Sequence, residues 1–377
     1  MNLNQETLAY IDSLQEEHLQ LLLTLARIPA PSNREEKRAQ FCKAWLEQTG
    51  AEGVFIDDAL NVIYPIGVTR DNPLVVFAAH SDVVFPDQEP LPLEIRDGKI
   101  YCPGIGDDSA CVAALMTAAK YLTQKQLQPK NCGVLLVINS GEEGLGNLKG
   151  TRKLFADFGS RIREFITFDD RSCRCVNRAV GSRRYRIAVD TQGGHSFNAF
   201  GNPNAIALLA SLIHSLYSIP VPPQGKTTYN VGTISGGTSV NTIAQHAEML
   251  YEFRSDCRES LSIMEARMQA AVEAYRSQGI RVTVTPVGDR PCSAEVDTGA
   301  MQALISRAAE ATRRHYGREL QFFSGSTDCN IPLSLGIPAI CLGCFDGAGA
   351  HTREEFVTID SLLPGLKFVF DMILHHF

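Results

Sequence analysis

The strongest pattern along the chain is a set of short, largely apolar, strand-like runs that stop abruptly on acids or a histidine. Val134-Leu135-Leu136-Val137-Ile138-Asn139 leads into Ser140-Gly141-Glu142-Glu143-Gly144, and Leu74-Val75-Val76-Phe77-Ala78-Ala79 leads into His80-Ser81-Asp82. Glu164-Phe165-Ile166-Thr167-Phe168 ends on Asp169-Asp170, and the run 337–342 precedes a glycine-rich loop that reaches His351. An apolar run without alternation predicts a strand buried on both faces, as in a parallel sheet. Ligands of open α/β sheets gather beyond the carboxyl ends of such strands. Helical spacing fills the intervals. Val112, Leu115, Met116, Ala119 and Leu122 form one apolar face, and a further helix is predicted from Thr298 to Tyr316. Ser13 with Glu16 and Ser32 with Glu35 have capping-box spacing, which predicts two helices between residues 13 and 50. A hairpin is expected through 54–56 and 62–64.

From residue 183 the pattern changes to strand (184–190), helix (205–217), two strands (227–234 and 247–254), helix (261–276) and strand (281–286). This βαββαβ order is that of a ferredoxin-like unit. Met264 and Met268 fall on a helical stripe with Leu261, Val272 and Tyr275, a core face. The expectation is therefore an α/β chain with a mostly parallel sheet and helices on both faces, over residues 1–181 and 292–377. An inserted α+β domain occupies 182–291. The 377 residues exceed what one core comfortably serves.

Composition narrows the function. Thirty-five basic against 42 acidic residues give a net charge of −7, which argues against nucleic acid as a partner. Met1–Glu6 lacks the basic and apolar regions of a signal peptide, and the apolar stretch 21–26 is too short to cross a bilayer. Eleven cysteines, an odd number, fit reduced thiols, so a cytoplasmic protein is expected. Cys341-Leu342-Gly343-Cys344 lacks the second pair that a structural zinc site needs. Gly104-Ile105-Gly106-Asp107-Asp108 is no dinucleotide fingerprint, because two acids occupy the turn where a pyrophosphate would sit.

The residues at or beyond strand ends are His80, Asp82, Asp107, Glu142, Glu143, Asp169 and His351. Imidazole and carboxylate donors without thiolate suit zinc, with manganese or cobalt as alternatives. Adjacent Glu142 and Glu143 repel unless a cation lies nearby. Two divalent ions sharing an Asp would polarise a carbonyl and lower the pKa of a shared water to about 7.

In these motifs the sequence resembles the peptidase T, dipeptidase, aminoacylase and glutamate-carboxypeptidase superfamily of dinuclear zinc hydrolases (metallopeptidase family twenty). They are His80-Ser81-Asp82, Gly106-Asp107-Asp108, Gly141-Glu142-Glu143-Gly144, Phe168-Asp169, Gly194-His195-Ser196, Ser326-Thr327-Asp328 and Ala350-His351-Thr352. Each is weak singly; their order is specific. The resemblance implies that His80, Asp107 and Asp169 bind one metal, and Asp107, Glu143 and His351 the other. It makes Glu142 the general base and Asp82 the residue that orients His80. Asp169 rather than Asp170 is taken as the ligand because Asp169 closes the strand as in the peptidase T pattern. His195 matches a histidine that, in dimeric relatives, stabilises the oxyanion in a neighbouring subunit. Arg254 matches an arginine that grips a substrate carboxylate, and Asn241 matches a lid asparagine. The inserted domain is accordingly expected to act as a lid and to mediate a homodimer.

By the same resemblance, Asp at position 169 tilts specificity towards short peptides, as in aminopeptidases, tripeptidases and dipeptidases. N-acyl-amino-acid deacylase and carboxypeptidase activities remain as alternatives. Two further readings compete. Gly194-His195-Ser196-Phe197-Asn198 with Asp328 and His351 follows the order of an α/β-hydrolase triad, but Asn198 stands where that motif requires a small glycine. A non-catalytic binding protein would have lost metal ligands, and none is missing here.

Overall fold

The computed structural model describes residues 3–377. The chain divides into two compact units, one of Met1–Arg178 with Glu295–Phe377 and one of Ala179–Ala294.

The first unit is built on an eight-stranded sheet in the order Phe55–Ile56, Val62–Ile66, Gly133–Asn139, Leu74–His80, Ile162–Phe168, Ala339–Leu342, Arg174–Ala179, Gln321–Gly325. The four central strands are parallel, and antiparallel strands adjoin this block on both sides. Leu74–His80 and Gly133–Asn139 are buried at every position, which is why their sequences do not alternate. Val75, Phe77, Ala79, Leu136, Ile138 and Phe168 face the main core with the helices Cys111–Gln124 and Ile359–Leu374. On the opposite face Phe165 meets Phe155 of helix Lys149–Phe158, ring centroids 5.8 Å apart. Helices therefore cover both faces, as the uninterrupted apolar runs require.

The amino-terminal helices differ from expectation. A helix Gln5–Ser13, capped by the Asn4 side chain, precedes helix Gln15–Ala26. Ser13 closes the first rather than opening the second: its hydroxyl donates to the Tyr10 carbonyl at 2.7 Å. Nor does Ser32 cap the helix Glu36–Gln48; its hydroxyl donates to the Asp82 carboxylate at 2.7 Å.

His18 of the second helix lies between that helix and Cys111–Gln124, with Nδ1 3.1 Å from the Thr117 hydroxyl. That hydroxyl donates to the Ala113 carbonyl, so it accepts from His18 and places the ring proton on Nδ1. Burial lowers the His18 pKa from 6.5 to about 4. The unfolded chain therefore binds a proton here that the folded chain refuses. Stability is full above pH 6.5 and falls as the pH drops towards 4. We expect wild type to lose about 3 kcal/mol relative to His18→Gln between pH 7 and pH 4 in urea titrations. Parallel pH profiles for the two proteins would overturn this.

The second unit is an antiparallel sheet in the order Thr227–Gly236, His246–Ser255, Gly181–Asp190, Arg281–Arg290. With helices Ala205–Tyr217 and Arg258–Arg276 it has the ferredoxin-like βαββαβ topology. Met264, Met268 and Val272 are buried in its own core against Ile187, Val189 and Leu212.

Candidate metal centre

The parallel register aligns the strand ends that carry the candidate ligands: His80 pairs with Asn139, Ala78 with Thr167, and Leu342 with Phe168. His80 closes its strand. Glu142 and Glu143 follow Asn139 after a turn at Gly141, where φ is +66° and Lys149 packs so closely that a Cβ would lie 2.5 Å from its Cγ. Asp107 sits in the irregular turn Ile105–Ala110 at the head of helix Cys111–Gln124, its peptide bond to Asp108 cis. Asp169 follows Phe168, and His351 lies in the loop beyond Ala339–Leu342.

These side chains converge. Within each of two triads, His80–Asp107–Asp169 and Asp107–Glu143–His351, one donor atom per residue lies within 4.8 Å of the others. Asp107 belongs to both. A third group, His80–Glu142–Glu143, meets the same distance. His80 Nε2 is 3.0 Å from Asp107 Oδ1, and His351 Nε2 is 3.1 Å from both Asp107 Oδ2 and Glu143 Oε1. Asp170 stands apart, paired with Arg174 at 2.7 Å.

The electrostatics test whether a cation fits. Burial, then the neighbouring Asp107 and Glu142, pushes Glu143 up to about 8, and burial with Asp107 raises Asp169 well above the carboxylate range. Bonds to Asp107 and Glu143 hold His351 at about 11. Burial opposes the charged form of His80, yet its bonds to Asp107 and Asp82 outweigh that and raise its pKa well above 6.5. These shifts point one way: buried acids this close together disfavour their full set of negative charges unless positive charge lies among them. Nitrogen and oxygen donors in this arrangement fit divalent ions such as zinc.

The residues behind the ligands are only partly those expected. Asp82 was expected to orient His80 through its carboxylate. Instead its carbonyl oxygen, at 3.0 Å, is the nearer partner of His80 Nδ1, and Oδ1 is 3.5 Å away. The Asp82 carboxylate accepts the backbone N–H groups of Glu142 at 2.9 Å and Glu143 at 3.0 Å, so it fixes both glutamates at once. Sequence reasoning missed Glu355, which is buried and accepts the N–H groups of Gly104, Gly106 and Asp107 at 2.7–2.9 Å, holding the Asp107 turn. It also missed Arg38, which is buried and ties the Ser81 and Ile28 carbonyls together.

His195, Asn241 and Arg254 belong to the second unit. His195 pairs with Thr242, and the Asn241 carbonyl accepts Ser196 N–H at 2.9 Å, so the first two share one short ribbon. His195 Nδ1 accepts from Phe197 N–H at 3.3 Å, which leaves Nε2–H as its outward donor. Asn241 Oδ1 accepts from Ser239. Arg254 forms a two-point pair with Glu252, at 2.9 and 3.1 Å. The Asp328–His351 pair that a hydrolase relay would need is not made. His351 faces Asp107 and Glu143, while Asp328 is held by Asn139 and Thr151.

Residues 76–375 match the model of peptidase family M20/M25/M40. The chain belongs to this family. The resemblance read from the motifs is thereby borne out, and the chain is a metal-dependent hydrolase of the M20 type, not a binding protein. It is 25% identical over 378 residues to the protein YqjE of Bacillus subtilis, covering 94% of this chain and 97% of that one. It is 29% identical to a succinyl-diaminopimelate desuccinylase of Burkholderia multivorans, over 81% and 83% of the two chains. A tripeptidase structure from Staphylococcus aureus superposes with a TM-score of 0.77 over 95% of this chain and 97% of the other, at 23% identity. That likeness shows a shared fold over nearly the whole of both chains.

Proposed function

We propose that this chain is a dinuclear zinc exopeptidase that removes the amino-terminal residue of unblocked di- and tripeptides. The observation that carries the proposal is the pair of donor triads sharing Asp107, with Glu142 beside them on the same turn. In this reading His80, Asp107 and Asp169 would hold one ion, and Asp107, Glu143 and His351 the other. Such ions would supply Lewis acidity to polarise a carbonyl and acidify a water. Glu142, its backbone N–H held by Asp82, would act as the general base and return the proton to the leaving amine. The pairing of Asp170 with Arg174 supports Asp169 as the ligand.

His195, by its outward Nε2–H, donates to the developing oxyanion in a homodimer assembled through the inserted unit. Phe197 and Phe200, 85% and 91% exposed beside it, support such a contact. Arg254 exchanges Glu252 for a substrate carboxylate, and Asn241 assists from the same unit. Eleven free cysteines support a cytoplasmic setting. Among the described residues no helix is long and apolar enough to cross a membrane.

Deacylation of N-acyl amino acids is the second reading, favoured by the desuccinylase relative. A tripeptide, its N-acetyl form and its C-terminal amide separate the two. Acetylation is expected to abolish cleavage, and amidation to raise KM about 10-fold or more through the lost charge-assisted pair. Faster cleavage of the acetylated compound would replace the peptidase reading with the deacylase one.

A further inference from the structure

Two of the candidate ligands do not stand at strand ends. Asp107 ends the stretch 104–107, and His351 lies in the loop 347–355. Burial does not hold His351 in place: its side chain is 57% exposed, and its φ of +65° lies in the left-handed region. His80 and Asp169, by contrast, close or follow neighbouring strands of the parallel sheet.

Glu355 ties the two stretches together. It is 2% exposed, and its Oε2 accepts Gly104 N–H at 2.7 Å while Oε1 accepts Gly106 N–H at 2.9 Å and Asp107 N–H at 2.8 Å. The main chain makes the same connection. The Glu355 carbonyl accepts Cys102 N–H at 3.1 Å, and Phe356–Thr358 pair with Lys99–Tyr101. The turn has no slack on its other side, since a Cβ on Gly106 would lie 2.6 Å from the Phe345 ring. Both Glu355 oxygens are thus committed to backbone donors, and the residue belongs to neither donor triad. Another tie of this loop, Arg353 to Asp87 at 2.6 Å, is exposed and leads to a different stretch, so it contributes little.

We propose that Glu355 is a positioning residue that sets the spacing of Asp107 and His351, and so governs the affinity of one metal ion far more than that of the other. The inference rests on the dinuclear reading of the centre and deepens it. The site of Asp107, Glu143 and His351 draws two of its three donors from the stretches that Glu355 joins. The site of His80, Asp107 and Asp169 draws two from strand ends that Glu355 does not touch. Glu355→Gln keeps the shape of the side chain but turns one acceptor into a donor. With the amide oxygen on Gly106 and Asp107, the amide nitrogen opposes the Gly104 N–H.

The test is a zinc titration of the metal-free full chain, by calorimetry or against a chromophoric chelator, in two backgrounds that each keep one site. Asp169→Asn keeps the site of His351, and His351→Ala keeps the site of His80. Adding Glu355→Gln is expected to raise the Kd about 10- to 100-fold in the first background and far less in the second. Glu355→Asp, with two acceptor oxygens on a shorter arm, should give a smaller loss in the same order, and it carries the test if the glutamine variant does not fold. A glutamate that only stabilised the fold would lower the metal-free Tm and weaken both sites alike. Equal weakening, the reverse order, or unchanged Kd values in both backgrounds overturns the inference and leaves the dinuclear centre standing. If Asp169→Asn and His351→Ala each still bind two ions, the dinuclear reading itself fails and the inference falls with it.

Discussion

Glu142→Gln is expected to lower turnover by about 100- to 10,000-fold with both metal ions still bound, because an amide of the same shape cannot accept the proton of the attacking water. The prediction depends on the unequal placement of two adjacent acids. Asp82 holds the backbone N–H of each, and Glu143 also meets His351, at 3.1 Å. Glu143→Gln is therefore expected to reduce the metal content from two ions to one. The same geometry brings Glu142 within reach of His80 and Glu143. The pair of variants accordingly separates a base from a ligand, where geometry alone would allow either. Elemental analysis and steady-state kinetics on both proteins make the comparison. Equal metal loss in the two would show that the roles are wrongly divided.

The fold was legible because its determinants are local. Two strands buried on both faces have no polar position to interrupt their apolar runs, and the two surface-spaced helices of the inserted unit present Leu209, Leu212, Met264 and Met268 to one core. His80, Glu143 and Asp169 were legible as candidates because a parallel sheet places its strand ends together, whereas Asp107 comes from a turn at the head of a helix. What supports them was not. Glu355 reaches the Asp107 turn across about 250 residues, and no periodicity encodes such a pairing. Ser32 misled because a serine three residues before a glutamate satisfies the helix-capping pattern, whereas this hydroxyl goes to Asp82 and Glu35 pairs with Lys149. One signal was available and unused. Glu252 and Arg254 are two apart on a strand and so share a face, which foretells their ion pair.

In the proposed centre Asp107 is the residue that both triads share, and its loss should have the widest consequences. It is the only residue common to the two triads among the described residues, and it carries the carboxylate on which both His80 and His351 converge. Asp107→Asn is expected to abolish binding of both ions and all measurable hydrolysis. Asp169→Asn and His351→Ala should each lose one ion, and Asp170→Asn neither. A readout independent of turnover follows from linkage. Each site filled at 100-fold over its Kd adds about 2.7 kcal/mol to the folded state, so zinc should raise the Tm of the metal-free wild type by about 5–10 °C. The rise should fall to roughly half in Asp169→Asn and vanish in Asp107→Asn. The Glu355 hydrogen bonds to the Gly104, Gly106 and Asp107 backbone do not involve the Asp107 side chain, so the turn itself should survive the substitution. An Asp107→Asn protein that retained two ions, or a zinc-induced Tm shift equal to that of wild type, would refute a shared ligand and with it the dinuclear arrangement.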